Sequence, residues 1–451
     1  MSDSAGAAPI PFWKVVILGL CAMEVGPNLA LSAAFQLHIS GRQSWLVIAL
    51  AALTAMLVAS AISLFAQRQV ATGSILSYVR TALPEWGICV TATCVLLGYI
   101  LGATSSVVGA AMYASTLLLR LGIPNATGFA SVAVLMLIVS AGAAVSACRG
   151  VEVSARVALA LGLICIPVAI GVTVAASCRS GIQIHDEIFR HDTSWLAAGR
   201  GLFVALGFFV GFDGISTLAS ETDDPKRNVG RVFRWTLGLT ALAVVAAALL
   251  QTPILLEHSA ALDAGESPTS ILSRVAGLSG VDVASDTLLC MATIAGLIAW
   301  VNFAALIVAN AASDGYLPRS LATVHPRYGT PHRAVLFLCL IAWLIPLAVE
   351  LITRTSVLTT IIYLTNMSQL FWLIPYTLVC VAALGTLRRE RRLLDPTAMA
   401  AATAAVLLVA VMVMEAIWPT DSTAAMMERL SLALVVAGSA ILLRRGSEAT
   451  L

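Results

Sequence analysis

Charge is what this sequence has least of. Only 11% of its 451 residues are Asp, Glu, Lys or Arg, against roughly 25% in an ordinary soluble domain. Hydrophobic residues make up 59% and the mean hydropathy is +0.94. So little charge cannot cover a water-facing surface of this size. The chain therefore reads as an all-α protein that crosses a membrane many times.

Other scarcities narrow the chemistry. The nine cysteines are scattered from Cys21 to Cys380 in mostly apolar surroundings, and their spacing fits neither a metal site nor a disulfide framework. The six histidines form no HExxH-like pair. No cofactor, metal site or nucleic-acid partner is expected. The phosphate-cradling pattern GxxxxGK[ST] is missing, which argues against an ATP-driven pump. No Ser/His or His/Asp/Glu set gathers at a predicted membrane interface, so catalysis has no support either. The opening SDSAGAAPIPFWK lacks the charged start, apolar stretch and cleavage site of a secretory signal.

What the chain does have is long apolar runs. A spanning helix needs about 20 predominantly apolar residues. About twelve stretches meet that test: 14–38, 44–66, 87–119, 126–147, 154–177, 196–220, 231–256, 281–312, 333–351, 356–384, 397–418 and 428–444. Basic residues crowd one set of the loops between them, with Arg68, Arg149, Lys226, Arg227, Arg319, Arg388 and Arg389 among them. The positive-inside rule then places both termini in the cytoplasm, the bilayer being the cell's inner membrane.

Two of the runs are interrupted. The first contains Gly26-Pro27-Asn28, and the sixth contains Gly211, Asp213 and Gly214. Corresponding broken helices in two five-helix halves of opposite topology point to a binding site at the bilayer midplane. The expected division is a tail over 1–13, a first repeat over 14–177, a second over 196–384, two further helices over 397–444 and a tail over 445–451. Proline suits the first turn of a new helix. A half-helix starting at Pro27 would present the N–H groups of Asn28, Leu29 and Ala30 to an anion such as a carboxylate. Unwinding near Phe209 to Asp213 would free carbonyl oxygens for an ammonium. Together they describe a site for a zwitterion.

At the sixth helix and the loop after it, GFDGISTLASETDDPKRNVGRV resembles a stretch of the amino acid–polyamine–organocation superfamily. So do ATGSILSYVRTALPEWG between the second and third helices and SDGYLPRSLATVHPRYGTPHRAVL from the eighth into the ninth. The three occur in the family's order. The resemblance implies a leucine-transporter-like inverted repeat, and substrates that are amino acids, amines or organic cations. It implies that Gly26, Pro27, Asn28, Leu29 and Ala30 hold a substrate carboxylate, and that Phe209, Val210, Gly211, Phe212 and Asp213 hold the amine. Phe208 or Phe209 would act as a gate. Residues 98–106 of the third helix and 298–302 of the eighth would line the side-chain pocket, with Tyr363 and Asn366 as further candidates.

The chain also departs from the family. GPNLA stands where a glycine-rich GSGIF is usual, and the fifth helix carries Gly162 where proton-coupled members often carry lysine. Glu24 and Asp213 are the acids nearest the breaks. Glu24 is the candidate for coupling to a proton or to a cationic substrate, whereas Asp213 is expected to bond freed backbone groups. Glu221, Asp223 and Asp224, beside Lys226 and Arg227, are expected to pair with the basic loop after the eighth helix. The functional expectation is a secondary transporter for an amino acid or related amine. An amine, polyamine or organic-cation antiporter and a non-transporting nutrient sensor are the alternatives. The expected partners are a small-molecule substrate, the lipid bilayer, and a coupling proton or exchanged substrate.

Overall fold

The computed structural model describes residues 11–68, 75–149, 151–181, 194–212, 222, 224–263, 266–278, 280–313, 315, 317–419 and 421–449. Among them there are helices and connecting turns, and no strands. In chain order these are α1 (Phe12–Ala22), α2 (Val25–Ser40), α3 (Ser44–Arg68), α4 (Ile75–Val79), α5 (Glu85–Arg120), α6 (Phe129–Cys148), α7 (Val151–Arg179) and α8 (Trp195–Leu206). The second part continues with α9 (Pro225–Glu257), α10 (Ser259–Asp263), α11 (Pro268–Val275), α12 (Val281–Ser313), α13 (His332–Thr353), α14 (Val357–Arg389), α15 (Pro396–Ile417) and α16 (Ser422–Ala449). Each apolar run read from the sequence falls on one of these helices. The first is divided between α1 and α2, and the sixth is described only as far as Phe212.

Helix starts follow local chemistry. Asp224, Ser267 and Asp395 each stand directly before a proline, and their side chains accept from Arg227 N, Ser270 N and Thr397 N. A short polar acceptor satisfies a free N–H of the first turn, and the proline has none to satisfy. Asp224, expected to form a loop ion pair, thus has a capping role at α9. Its neighbours Glu221 and Asp223 lie outside the described residues.

The core is organised around α5. Its 36 residues extend about 54 Å at ~1.5 Å per residue, well beyond the ~30 Å hydrocarbon layer, so it is tilted or projects past the layer. It packs chiefly against α12 and α14. Gly98 and Gly102 permit this: a Cβ there would stand 2.9 Å from Trp372 and 3.0 Å from Trp300 respectively. Two bulky indoles are thereby brought against a bare stretch of helix backbone.

Ion pairs mark the two ends of the bundle. At one end Arg120 of α5 pairs with Asp282 of α12 and approaches Glu266 at 3.6 Å, and Glu266 also accepts from Arg274 at 2.8 Å. At the other end Arg68 donates both terminal nitrogens to Glu390, at 2.5 and 2.9 Å, joining the ends of α3 and α14. That contact holds the Glu390 carboxyl below its usual range.

Candidate functional site

The first break comes earlier than the sequence suggested. Helix α1 ends at Ala22, and α2 begins at Val25 with Glu24 as its N-cap. Pro27 is therefore the third residue of the new helix instead of its first. Either position suits proline, because neither needs its N–H for an intrahelical bond. The Asn28 N–H donates to the Glu24 carbonyl at 2.9 Å. Asn28 is thus inside the hydrogen-bonded helix, and the donors left over at its start are those of Val25 and Gly26. Leu29 and Ala30 are buried in the core. The expected row of free amides at Asn28, Leu29 and Ala30 is not formed in this conformation.

Glu24 has φ 49°, in the left-handed region. Its carboxylate does not cap α2. It turns instead toward α5 and α12, where its Oε1 accepts from Trp300 Nε1 at 2.7 Å and from Ser106 Oγ at 3.1 Å. The carboxylate lies directly over Gly296, where any Cβ would collide with it. Three helices converge on one acidic side chain, which stays half-buried.

At the second break α8 tightens into a 3-10 turn over Gly207–Phe209 and then leaves helical geometry. Val210 is extended, with φ −74° and ψ 161°, and Gly211 has φ 83°. A Cβ on Gly211 would stand 2.9 Å from the Trp300 ring, so both the backbone angle and the space demand glycine. Its N–H accepts no constraint from the helix and donates to Tyr376 Oη at 3.2 Å. Phe212 is fully buried against Phe233 and Tyr376. Asp213 lies outside the described residues.

Asn28 joins the two breaks, and three glutamines tie the helices that flank them. Asn28 Nδ2 donates to Met23 O at 2.8 Å and to Phe208 O at 3.2 Å, linking one break to the other. Gln36 Nε2 donates to Gly201 O at 2.9 Å, and Gln369 Nε2 to Val204 O at 2.8 Å. Gln251 Nε2 bridges Leu29 O at 2.9 Å and Thr173 Oγ1 at 2.7 Å. A free carbonyl in an apolar interior is costly, and an amide N–H removes that cost. None of these glutamines was singled out from the sequence. Their signal was a carboxamide within an otherwise apolar span, where such a group is kept only when it is bonded.

The aromatic residues of the expected pocket form one cluster. Tyr99 of α5 lies with its ring centre 5.5 Å from Trp300, 5.6 Å from Phe303 and 5.1 Å from Trp372. Phe208, expected as a gate, is buried beside Phe35 of α2, its ring centre 6.2 Å away. Phe209 is also buried. Tyr363 donates to Asp421 at 3.0 Å, near the start of α16. Asn366 has a buried Oδ1 with no partner among the described residues.

A helical bundle with two broken spans tied together at their breaks is the layout of a secondary transporter. The amino acid permease family model matches residues 10–440, and the chain belongs to this family, within the amino acid–polyamine–organocation superfamily. An uncharacterised transporter of Mycobacterium tuberculosis is 28% identical over 329 residues, which is 71% of this chain and 69% of that protein. One from Rhizobium meliloti is 27% identical over 157 residues, 35% of this chain and 33% of that protein. Among solved structures, a manganese transporter of Eremococcus coleocola aligns with a TM-score of 0.59 at 15% identity, covering 98% of this chain and 97% of its own. MhsT in complex with L-phenylalanine aligns with a TM-score of 0.60 at 13% identity, covering 91% of this chain and 100% of its own. The fold is leucine-transporter-like, and the protein is a multi-pass membrane transporter.

Proposed function

We propose that the protein carries an amino acid or a related amine across the cytoplasmic membrane by alternating access, with the solute held between the two helix breaks. The observation that carries this reading is the convergence of both breaks on Trp300. Its indole N–H bonds the Glu24 carboxylate, and its ring lies against Gly211. Val210, Gly211, Glu24 and Trp300 remain half-buried where the surrounding core is closed. In this reading Gly26 to Ala30 and Phe209 to Asp213 flank the solute, Asn28, Leu29 and Ala30 leaving their helical positions in the solute-bound conformation, and Phe208 closes over it. Both termini face the cytoplasm, so the Arg68–Glu390 contact is on the inner side. No step of bond making or breaking is required, and the protein acts as a carrier and not as an enzyme.

Counterflow tests this. Purified protein is reconstituted into liposomes preloaded with unlabelled amino acids or amines, and entry of the labelled compound is followed. The expected result is transient accumulation above equilibrium for at least one compound, absent from protein-free liposomes. Saturable binding with no counterflow for any compound would replace the carrier with a sensor of the same fold.

A further inference from the structure

Unwound helix ends attract an ammonium group through carbonyl oxygens that have lost their helical partners. Two such oxygens here are already partly occupied. Asn28 Nδ2 donates to Met23 O and to Phe208 O, and an amide nitrogen has only two protons to give. Each of these carbonyls has one of its two lone pairs taken by Asn28, so a substrate ammonium could use only the other.

Glu24 is in the opposite situation. Trp300 and Ser106 both donate to its Oε1, and none of the described residues donates to Oε2. Among the described residues no lysine, arginine or histidine pairs with it. Its left-handed backbone is unfavourable for a residue with a Cβ, and such strain persists where the surroundings hold it in place. An acidic side chain kept at a strained hinge, inside a membrane protein and with no basic partner among the described residues, is a candidate functional group.

The surroundings suit an organic cation. Trp300, Tyr99, Phe303 and Trp372 form a continuous aromatic wall, with neighbouring ring centres 5.1–5.9 Å apart. Ring faces attract ammonium groups electrostatically, most strongly when water is excluded. The bond from Trp300 Nε1 to Glu24 fixes the edge of the indole beside the carboxyl group, which places the carboxyl next to the aromatic cluster.

We propose that Glu24, backed by Trp300 and Tyr99, is the subsite for the cationic group of the transported solute, an organic ammonium, and that Asn28 competes with that group for the Met23 and Phe208 carbonyls. The proposal rests on the carrier reading above. A solute carrying an ammonium and no carboxylate satisfies this subsite most fully. The carboxylate of a zwitterion would find only the N–H groups of Val25 and Gly26, at a helix start whose cap is the acidic residue Glu24.

The test is thermal unfolding of the full-length protein in detergent with three matched probe series. These are the α-amino acids, the amines left when each α-carboxylate is removed, and the carboxylates left when each amino group is removed. Selective binding to the native state raises the unfolding temperature. At least one amine is expected to stabilise the protein, and its corresponding carboxylate is not. Glu24→Gln is expected to weaken that amine by about 10- to 100-fold, the range for losing a charged hydrogen bond. Glu24→Asp should retain part of the affinity, and Asn28→Ser should stay within about threefold of the parent. Should Glu24→Gln fail to fold, Trp300→Phe is read in its place: it keeps a ring but removes one of the two donors that hold Oε1 in place, and should weaken amine affinity by about threefold or more. An amine that binds Glu24→Gln and the parent equally well, or that is lost on Asn28→Ser instead, overturns the subsite while leaving the carrier reading intact. Silence from all three series, together with no counterflow, overturns the carrier reading and this subsite with it.

Discussion

At the first break the residue in the left-handed region is Glu24, which reaches Trp300 with its side chain. At the sixth it is Gly211, which lies against the same indole because it has no side chain at all. The two positions solve the same backbone problem differently. Holding Glu in that region costs about 1–3 kcal/mol, and glycine would cost almost nothing. A hydrogen bond contributes about 0.5–1.5 kcal/mol, and a buried donor left without its acceptor costs about 1–3 kcal/mol, so the Trp300 bond offsets the strain. The difference teaches that the chain retains a carboxylate at one hinge where the other hinge retains empty space.

The largest effect should come from filling that space. Gly211→Val meets both the positive φ and the Trp300 ring at once, and uptake in reconstituted vesicles is expected to fall more than about tenfold. Undiminished uptake would show that the sixth break does not adopt this geometry during transport.

Next is the reciprocal change. Glu24→Gly relieves the strain but leaves Trp300 Nε1 without its acceptor, while Ser106 Oγ keeps the Gly102 carbonyl at 3.0 Å. The lost bonds outweigh the relief, so a net destabilisation of about 1–3 kcal/mol is expected in thermal unfolding. A stabilised variant would mean that the carboxylate contributes nothing to the hinge.

A smaller effect belongs to the carboxamides that hold the second half of the first span. Gln251→Leu removes the bridge between Leu29 O and Thr173 Oγ1, and about 0.5–1.5 kcal/mol of stability should be lost. The smallest effect is at the bundle end. The folded-state carboxyl of Glu390 is held low by Arg68, so its contribution is fully present above the usual carboxylate range and is lost as pH falls through the lowered value. Arg68→Ala should abolish this acidic pH dependence while changing neutral-pH uptake by roughly twofold or less, since an exposed pair contributes little. A parent protein with the same acid sensitivity as Arg68→Ala would remove the pair from the account.

The helical architecture was readable because each span carries enough apolar length to be recognised without its neighbours. The site was readable only in part. Gly26-Pro27-Asn28 marked the first break to within a few residues, yet proline is equally at home at the first and third positions of a helix, so it could not locate Glu24 as the cap. Glu24 itself stood out as an acid in an apolar run. Its partners did not, because Ser106 is 82 residues away and Trp300 is 276 residues away. The same distance problem concealed Arg68 and Glu390, which are separated by 322 residues. Asn28 was read as a backbone donor, whereas its side chain spans 180 residues to Phe208. Hydrophobic periodicity carries no information about pairings of this kind.

The central claim is that a solute enters between the two breaks beside Trp300. Its most direct measurement is the reactivity of Val210→Cys, placed on a background lacking reactive native cysteines, toward a water-soluble thiol reagent. Val210 is extended and half-buried between the breaks. The account predicts that the cysteine reacts, and that the amino acid or amine active in counterflow slows the reaction in proportion to its occupancy. A reaction rate unchanged by saturating solute would contradict it.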